Sequence, residues 1–202
     1  NEPFQAERSV CSRFGLDIGL SEQYLRALDR IAEYILHDYD KAAFMTALKL
    51  AEKAGVKLCH ENEKGIYGDS AERCLDLYTA LPGLHAIFDP ANFIQCGQDT
   101  EKAWELLKSR ILCLHIKDAL ADGSVVPAGK GIGNVEKIVS EYVAAGGREF
   151  TIEPHLTVFS GLSGLEREGD TSVVGTKYHY PSRDAAFNAA CGAFMKILEK
   201  IR

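Results

Sequence analysis

Glu61, Asp89, His115 and Glu153 combine metal-ligating chemistry with a regular spacing. They sit in VKLCHENE (56–63), HAIFDPAN (85–92), ILCLHIKD (111–118) and EFTIEPH (149–155), each of which reads as a short buried strand with a polar residue at its C-terminal end. Three carboxylates brought together without a cation would suffer mutual repulsion and desolvation, so the chemistry they could share is the binding of a divalent metal ion. Singly, an acid after a strand also caps the next helix, and a histidine in an apolar run is also a satisfied core residue. Four such residues in register argue for the metal.

The spacing implies the framework that holds these four residues. The intervals are 28, 26 and 38 residues, each about the length of one strand–helix unit. Side chains two apart in a strand share a face, so Cys59 goes with Glu61, Ile87 with Asp89, Cys113 with His115 and Thr151 with Glu153. The inward rows are then small or apolar below and charged above. This is the pattern of a site at the mouth of a parallel barrel.

Strand and helix alternate along the rest of the chain, which gives an α/β class with a parallel sheet. A first strand is expected at 15–20 and helices at 21–36 and Lys41–Ala54, the latter closed by Gly55. Asp69-Ser-Ala-Glu72 reads as a capping box opening a helix to Ala80, a further helix spans 100–110, and Asn134 is an N-cap for a helix to Ala145. Residues 156–181 read as irregular and glycine-rich, before a final helix at 182–201. One region does not fit a full barrel: only His37-Asp-Tyr-Asp40 separates two helices where a strand is needed. A complete (β/α)8 barrel takes about 250 residues and five strands are legible here, so the N-terminal strands are expected to be missing or shortened within a single domain over 1–202.

Composition excludes several classes. The 202 residues are 46% hydrophobic, enough for one substantial core, and no apolar run is long enough to span a bilayer. With 23 basic and 29 acidic residues the net charge is −6, and no lysine or arginine run would track a phosphate backbone, so neither nucleic acid nor membrane is an expected partner. Six cysteines without paired short spacing read as reduced core thiols of a cytoplasmic protein, with disulfides as the weaker alternative. No basic-then-apolar leader opens the sequence, which begins NEPFQ without Met, so the true N-terminus is expected upstream.

HENEKGIYGD (60–69), DPANF (89–93), HIKDA (115–119), PAGKGIG (127–133) and IEPH (152–155) together closely resemble the sugar phosphate isomerase/epimerase family of xylose-isomerase-like TIM barrels, over roughly residues 41–202. The resemblance implies that Glu61, Asp89, His115 and Glu153 are metal ligands from the last four barrel strands. It also implies proton removal beside the carbonyl of a keto sugar or sugar derivative, with Glu61 and Glu153 sharing the acid–base work while binding metal. Mn²⁺, Mg²⁺ or Co²⁺ suits an oxygen-rich set with one imidazole, with Zn²⁺ as the alternative. Three carboxylates against one dication leave about one negative charge, which favours a neutral polyhydroxy substrate over a dianion. Relatives often assemble through outer helices, which makes a homo-oligomer an expectation.

Other positions could face substrate. Lys117, two after His115, could meet a substrate oxygen or snorkel out of the mouth, and His155 stands in the same relation to Glu153. Asn92 falls where relatives often carry histidine. Glu63 is a rival ligand to Glu61. The loop Gly129-Lys-Gly-Ile-Gly133 matches neither a Walker loop nor a dinucleotide fingerprint; it reads as a flexible turn, or as a site where Lys130 holds a phosphate or carboxylate. Three alternatives to the isomerase remain: a dehydratase of a keto-inositol or related polyol, a hydrolase resembling abasic-site endonucleases, and a non-catalytic metal-binding relative. Asn92 and PAGKGIG, standing where a three-zinc nuclease would need further ligands, weigh against the hydrolase.

Overall fold

In a computed structural model, residues 41–157 and 177–201 are described. The strand expected at 15–20, the helix at 21–36 and most of the irregular stretch lie outside them. Two compact units divide the chain between Leu58 and Cys59. Of the first, helix α1 (Lys41–Ala54) is described. Gly55 ends it as expected, at φ 69°, a left-handed conformation that favours glycine, while its N–H and that of Val56 return to the carbonyls of Glu52 and Ala51.

The second unit runs β1 (Cys59–Glu61), α2 (Ala71–Ala80), β2 (His85–Phe88), α3 (Pro90–Gln95), α4 (Thr100–Leu107), a 3₁₀ turn (Lys108–Arg110), β3 (Ile111–Ile116), β4 (Asp118–Ala119), β5 (Val125–Val126), α5 (Val135–Ala144), β6 (Glu149–Ile152) and α6 (Arg183–Ile201). Four strands form one sheet in the order β1-β2-β3-β6, every pair parallel. Strand order equal to chain order, with a helix between successive strands, is the connectivity of a barrel wall. Beside it, β4 and β5 form a small antiparallel hairpin, which the sequence pattern does not announce.

Alternation assigns the two faces of the sheet. Ala86, Phe88, Leu114 and Ile116 are sealed on the helical side, along with Leu77, Trp104 and Ile138 from α2, α4 and α5. Phe88 is the centre of an aromatic group, with Phe93 at 5.0 Å and Trp104 edge-on at 5.4 Å. On the opposite face Cys59, Ile87 and Cys113 are half-buried and Thr151 is exposed, so the strands are not buried on both sides as expected. Cys74, on the buried face of α2, is the fully buried thiol, and the five cysteines among the described residues form no disulfide with one another.

Local chemistry sets the helix starts, and here two expectations are corrected. Ser70, not Asp69, caps α2: its hydroxyl accepts from the Arg73 amide, while Asp69 grips the Arg73 guanidinium through both oxygens. Asn134 precedes α5 but makes no capping bond, because it adopts a left-handed backbone (φ 54°) and its amide donates to Thr100 Oγ1 instead. Asp99 does cap α4, accepting from Glu101 and Lys102. The helix expected to Arg110 gives way to a 3₁₀ turn at Lys108. No helix among the described residues is long and apolar enough to cross a membrane.

Candidate metal centre

The four sequence-selected residues leave the sheet at one end but not on one row. Glu61 pairs with Ile87, one step below Asp89, whereas Ile87 pairs with Cys113, which puts Asp89 level with His115. His115 in turn pairs with Thr151, one step below Glu153. This stagger is what barrel strands show when they tilt, and the tilt compensates for it. One donor atom from each of Glu61, Asp89, His115 and Glu153 lies within 4.8 Å of every other. Donors bound to one ion at about 2.2 Å sit at most about 4.4 Å apart, so the group could hold a metal with small side-chain adjustments.

His115 Nδ1 is the hub, 2.9 Å from Glu61 Oε1, 3.2 Å from Glu153 Oε1 and 4.0 Å from Asp89 Oδ2. Burial disfavours its charge, but the Glu61 hydrogen bond and the surrounding carboxylates outweigh burial and raise its pKa. Burial also raises Glu61 above the usual carboxylate range, against the lowering effect of His115. Asp89 divides its oxygens. Oδ1 accepts the Asn92 amide as the cap of α3, so the capping and site readings of this acid both hold. Oδ2 is sealed and receives no well-directed hydrogen bond, although the Lys117 ammonium is 2.9 Å away. An under-satisfied buried carboxylate oxygen among three carboxylates and an imidazole fits a divalent cation.

Asn62 and Asn92 brace the group. Asn62 closes two hydrogen bonds with the Asp89 backbone, accepting its N–H at 2.8 Å and donating to its carbonyl at 2.9 Å. Asn92 Nδ2 reaches Glu61 Oε1, the Asn62 carbonyl and Glu63 Oε2 at 3.0–3.2 Å. Its amide is committed to the protein, contrary to an open position for substrate. Glu63 is outside the four-residue group; Asn92 and the Lys64 amide hold its oxygens, which removes the rival ligand.

Lys117 neither snorkels out nor reaches into open space. It is 4% exposed, with Nζ 2.9 Å from Asp89 Oδ2 and 3.4 Å from Glu153 Oε2. Burial works against its charge, yet Asp89 and Glu153 outweigh burial and hold its pKa above the usual lysine range. The single negative charge expected for a loaded site is therefore corrected: with this ammonium inside, one dication would leave it neutral. His155 lies half-buried beyond β6 at φ 39°, and burial followed by the Lys117 charge lowers its pKa.

Sequence reasoning assigns no role to Asp118, which proves to organise the glycine loop. Its carboxylate accepts the N–H groups of Ala119, Gly129, Gly131 and Gly133 at 2.9–3.0 Å. The loop is thus a nest of amides filled by the chain's own anion, and those amides are not open to a phosphate or carboxylate from outside; Lys130 stands exposed beside it. Gly131 and Gly133 are required by contact, since a Cβ at either would meet Asp118 Oδ1 at 2.3 or 2.7 Å. The signal that could reveal the nest is the every-second-residue glycine pattern at 129, 131 and 133.

No protein-family model matches the sequence, and no curated protein does. Among solved structures, the chain is similar to an L-ribulose 3-epimerase (TM-score 0.59, 18% identity) over 80% of this chain and 53% of that one. It is similar to a D-psicose 3-epimerase with D-tagatose from Clostridium cellulolyticum H10 (TM-score 0.58, 15% identity, 80% and 55%). A third is an IOLI protein with a bound zinc atom (TM-score 0.56, 14% identity, 80% and 55%). The chain spans about half the length of each of these proteins. Its fold is that of these TIM-barrel structures, and the described parallel strands supply part of such a barrel.

Proposed function

We propose that the chain carries the metal centre of an isomerase or epimerase acting on a keto sugar or sugar derivative. The observation that carries this reading is the convergence of Glu61, Asp89, His115 and Glu153 from four consecutive parallel strands. The two epimerases of like fold are consistent with it.

The side chains divide by exposure. Asp89 is fully sealed and His115 nearly so, whereas Glu61 and Glu153 keep 27% and 29% of their side chains open. The sealed pair anchors the ion; the open pair reaches the substrate. Glu61, Asp89, His115 and Glu153 would hold a divalent ion, which would supply Lewis-acid chemistry at the substrate carbonyl. Glu153 and Glu61 then exchange the carbon-bound proton, one removing it and the other returning it. The Lys117 ammonium, held beside Asp89 and Glu153, offsets negative charge developing at the site, and His155 borders it as a sugar-hydroxyl contact.

The test is solvent exchange. Incubation of the Mn²⁺-loaded chain with keto-hexoses in D₂O, followed by proton NMR, is expected to show loss of one carbon-bound proton signal and appearance of an epimer or aldose. Exchange should vanish in Glu153→Gln. A metal-loaded chain that exchanges no carbon-bound proton in any keto sugar would sink this reading.

A further inference from the structure

We propose that Lys117 is a built-in counter-cation that shares the carboxylates of Asp89 and Glu153 with the divalent ion, so that it weakens ion binding and keeps the loaded site electrically neutral. This inference rests on the metal-centre reading above and deepens it.

The geometry confines the two cations to common atoms. Asp89 Oδ1 is committed to the Asn92 amide, which leaves Oδ2 as the atom Asp89 can offer an ion. Lys117 Nζ already stands 2.9 Å from Oδ2. Glu153 is split between the same two claims, with Oε1 facing His115 Nδ1 at 3.2 Å and Oε2 facing Lys117 Nζ at 3.4 Å. A bound ion would thus take one oxygen of Glu153 while Lys117 keeps the other, and both would draw on Oδ2 of Asp89. Lys117 cannot withdraw from the competition, because its side chain is 3% exposed.

Two opposing charges follow from this arrangement. In the metal-free chain the ammonium offsets part of the repulsion among three carboxylates, which explains how a sealed Asp89 is tolerated. In the loaded chain it lies beside a dication and repels it. A loaded site of zero net charge admits a substrate oxygen that becomes negative during proton removal, where a net negative site would oppose it. Loss of the ammonium should therefore tighten ion binding and slow turnover together. Damage to a merely structural lysine would loosen ion binding.

Calorimetric titration of the chelator-stripped 202-residue chain with Mn²⁺ separates these outcomes. Lys117→Met, which keeps the length of the side chain without its charge, is expected to bind Mn²⁺ about tenfold tighter or more. Lys117→Arg, which keeps the charge, should stay within about threefold of the parent. Unfolding midpoints read the same effect independently: Lys117→Met should be less stable than the parent without ion and gain a larger upward shift with it. If Lys117→Met does not fold free of metal, Lys117→Gln is the reserve variant and should also bind tighter. Unchanged or weaker Mn²⁺ binding in the uncharged variants overturns the counter-cation while leaving the metal centre standing. A parent chain that takes up no Mn²⁺ overturns both.

Discussion

The Asn62 side chain and the Asp89 peptide unit hold each other by two hydrogen bonds across β1 and β2, at 2.8 and 2.9 Å. Through them the strand that carries Glu61 sets the position of Asp89, a proposed ligand at the end of the next strand. Asn62→Ala should leave the Asp89 amide and carbonyl without these partners in a sealed place, lowering stability by about 2 kcal/mol. Because supporting residues of metal sites typically affect affinity by about 10–100-fold, Mn²⁺ binding should weaken by that order. Urea unfolding and calorimetry measure the two effects, and unchanged Mn²⁺ affinity would show that Asn62 does not brace the centre.

Each of the four proposed ligands belongs to or directly follows a different strand, so removal of one should not be rescued by its neighbours. Parent protein is expected to bind Mn²⁺ one-to-one, and Glu153→Gln to lose binding while keeping its far-ultraviolet circular dichroism. Full-strength binding in Glu153→Gln would place the ion elsewhere.

Asp118 is the anchor of the 129–133 loop. Asparagine in its place supplies one acceptor oxygen and turns an NH₂ group towards N–H donors, so Asp118→Asn should lower stability by about 2–4 kcal/mol. Gly131→Ala attacks the same contact from the other side, since its Cβ would lie 2.2 Å from the Ala119 carbonyl oxygen and 2.3 Å from Asp118 Oδ1. Denaturant midpoints should fall in both variants. A nest that tolerates both substitutions would have to be looser than the four amide contacts indicate.

His60 lies behind Glu61 on the helical side of β1, with Nε2 donating to the Tyr67 carbonyl and Nδ1 facing the Tyr78 hydroxyl, both at 3.1 Å. Burial lowers its pKa to about 4. Below pH 6.5 the unfolded chain takes up a proton at this histidine that the folded chain does not take until about pH 4. The unfolded state binds more protons in that window, so stability falls as pH drops through it and is level above it. The loss attributable to His60 is about 3 kcal/mol. His60→Gln should flatten the profile between pH 6.5 and 4 relative to the parent, as read by unfolding at a series of pH values. Parallel profiles would mean that His60 is protonated in the fold.

The local sequence carries the β/α alternation, the helix Lys41–Ala54 with its Gly55 stop, and the four residues that converge. Each of these follows from short-range physics: side chains two apart share a strand face, a left-handed stop favours glycine, and one ligand per strand–helix unit shows as a regular interval. What the sequence cannot carry is the partner of each polar group, because that is chosen by chains far apart in number. Lys117 reads as a substrate-facing lysine until the fold puts Asp89 and Glu153 beside it. PAGKGIG reads as a flexible or anion-binding loop until Asp118 fills its amides. Asp69 and Asn134 both read as caps, and both are drawn off by other partners, Arg73 and Thr100. Residue types and their spacing single out which residues could form a metal centre. The tertiary structure decided the charge around that centre, since a buried cation and a buried carboxylate are placed by packing across strands and loops, which leaves no local signature.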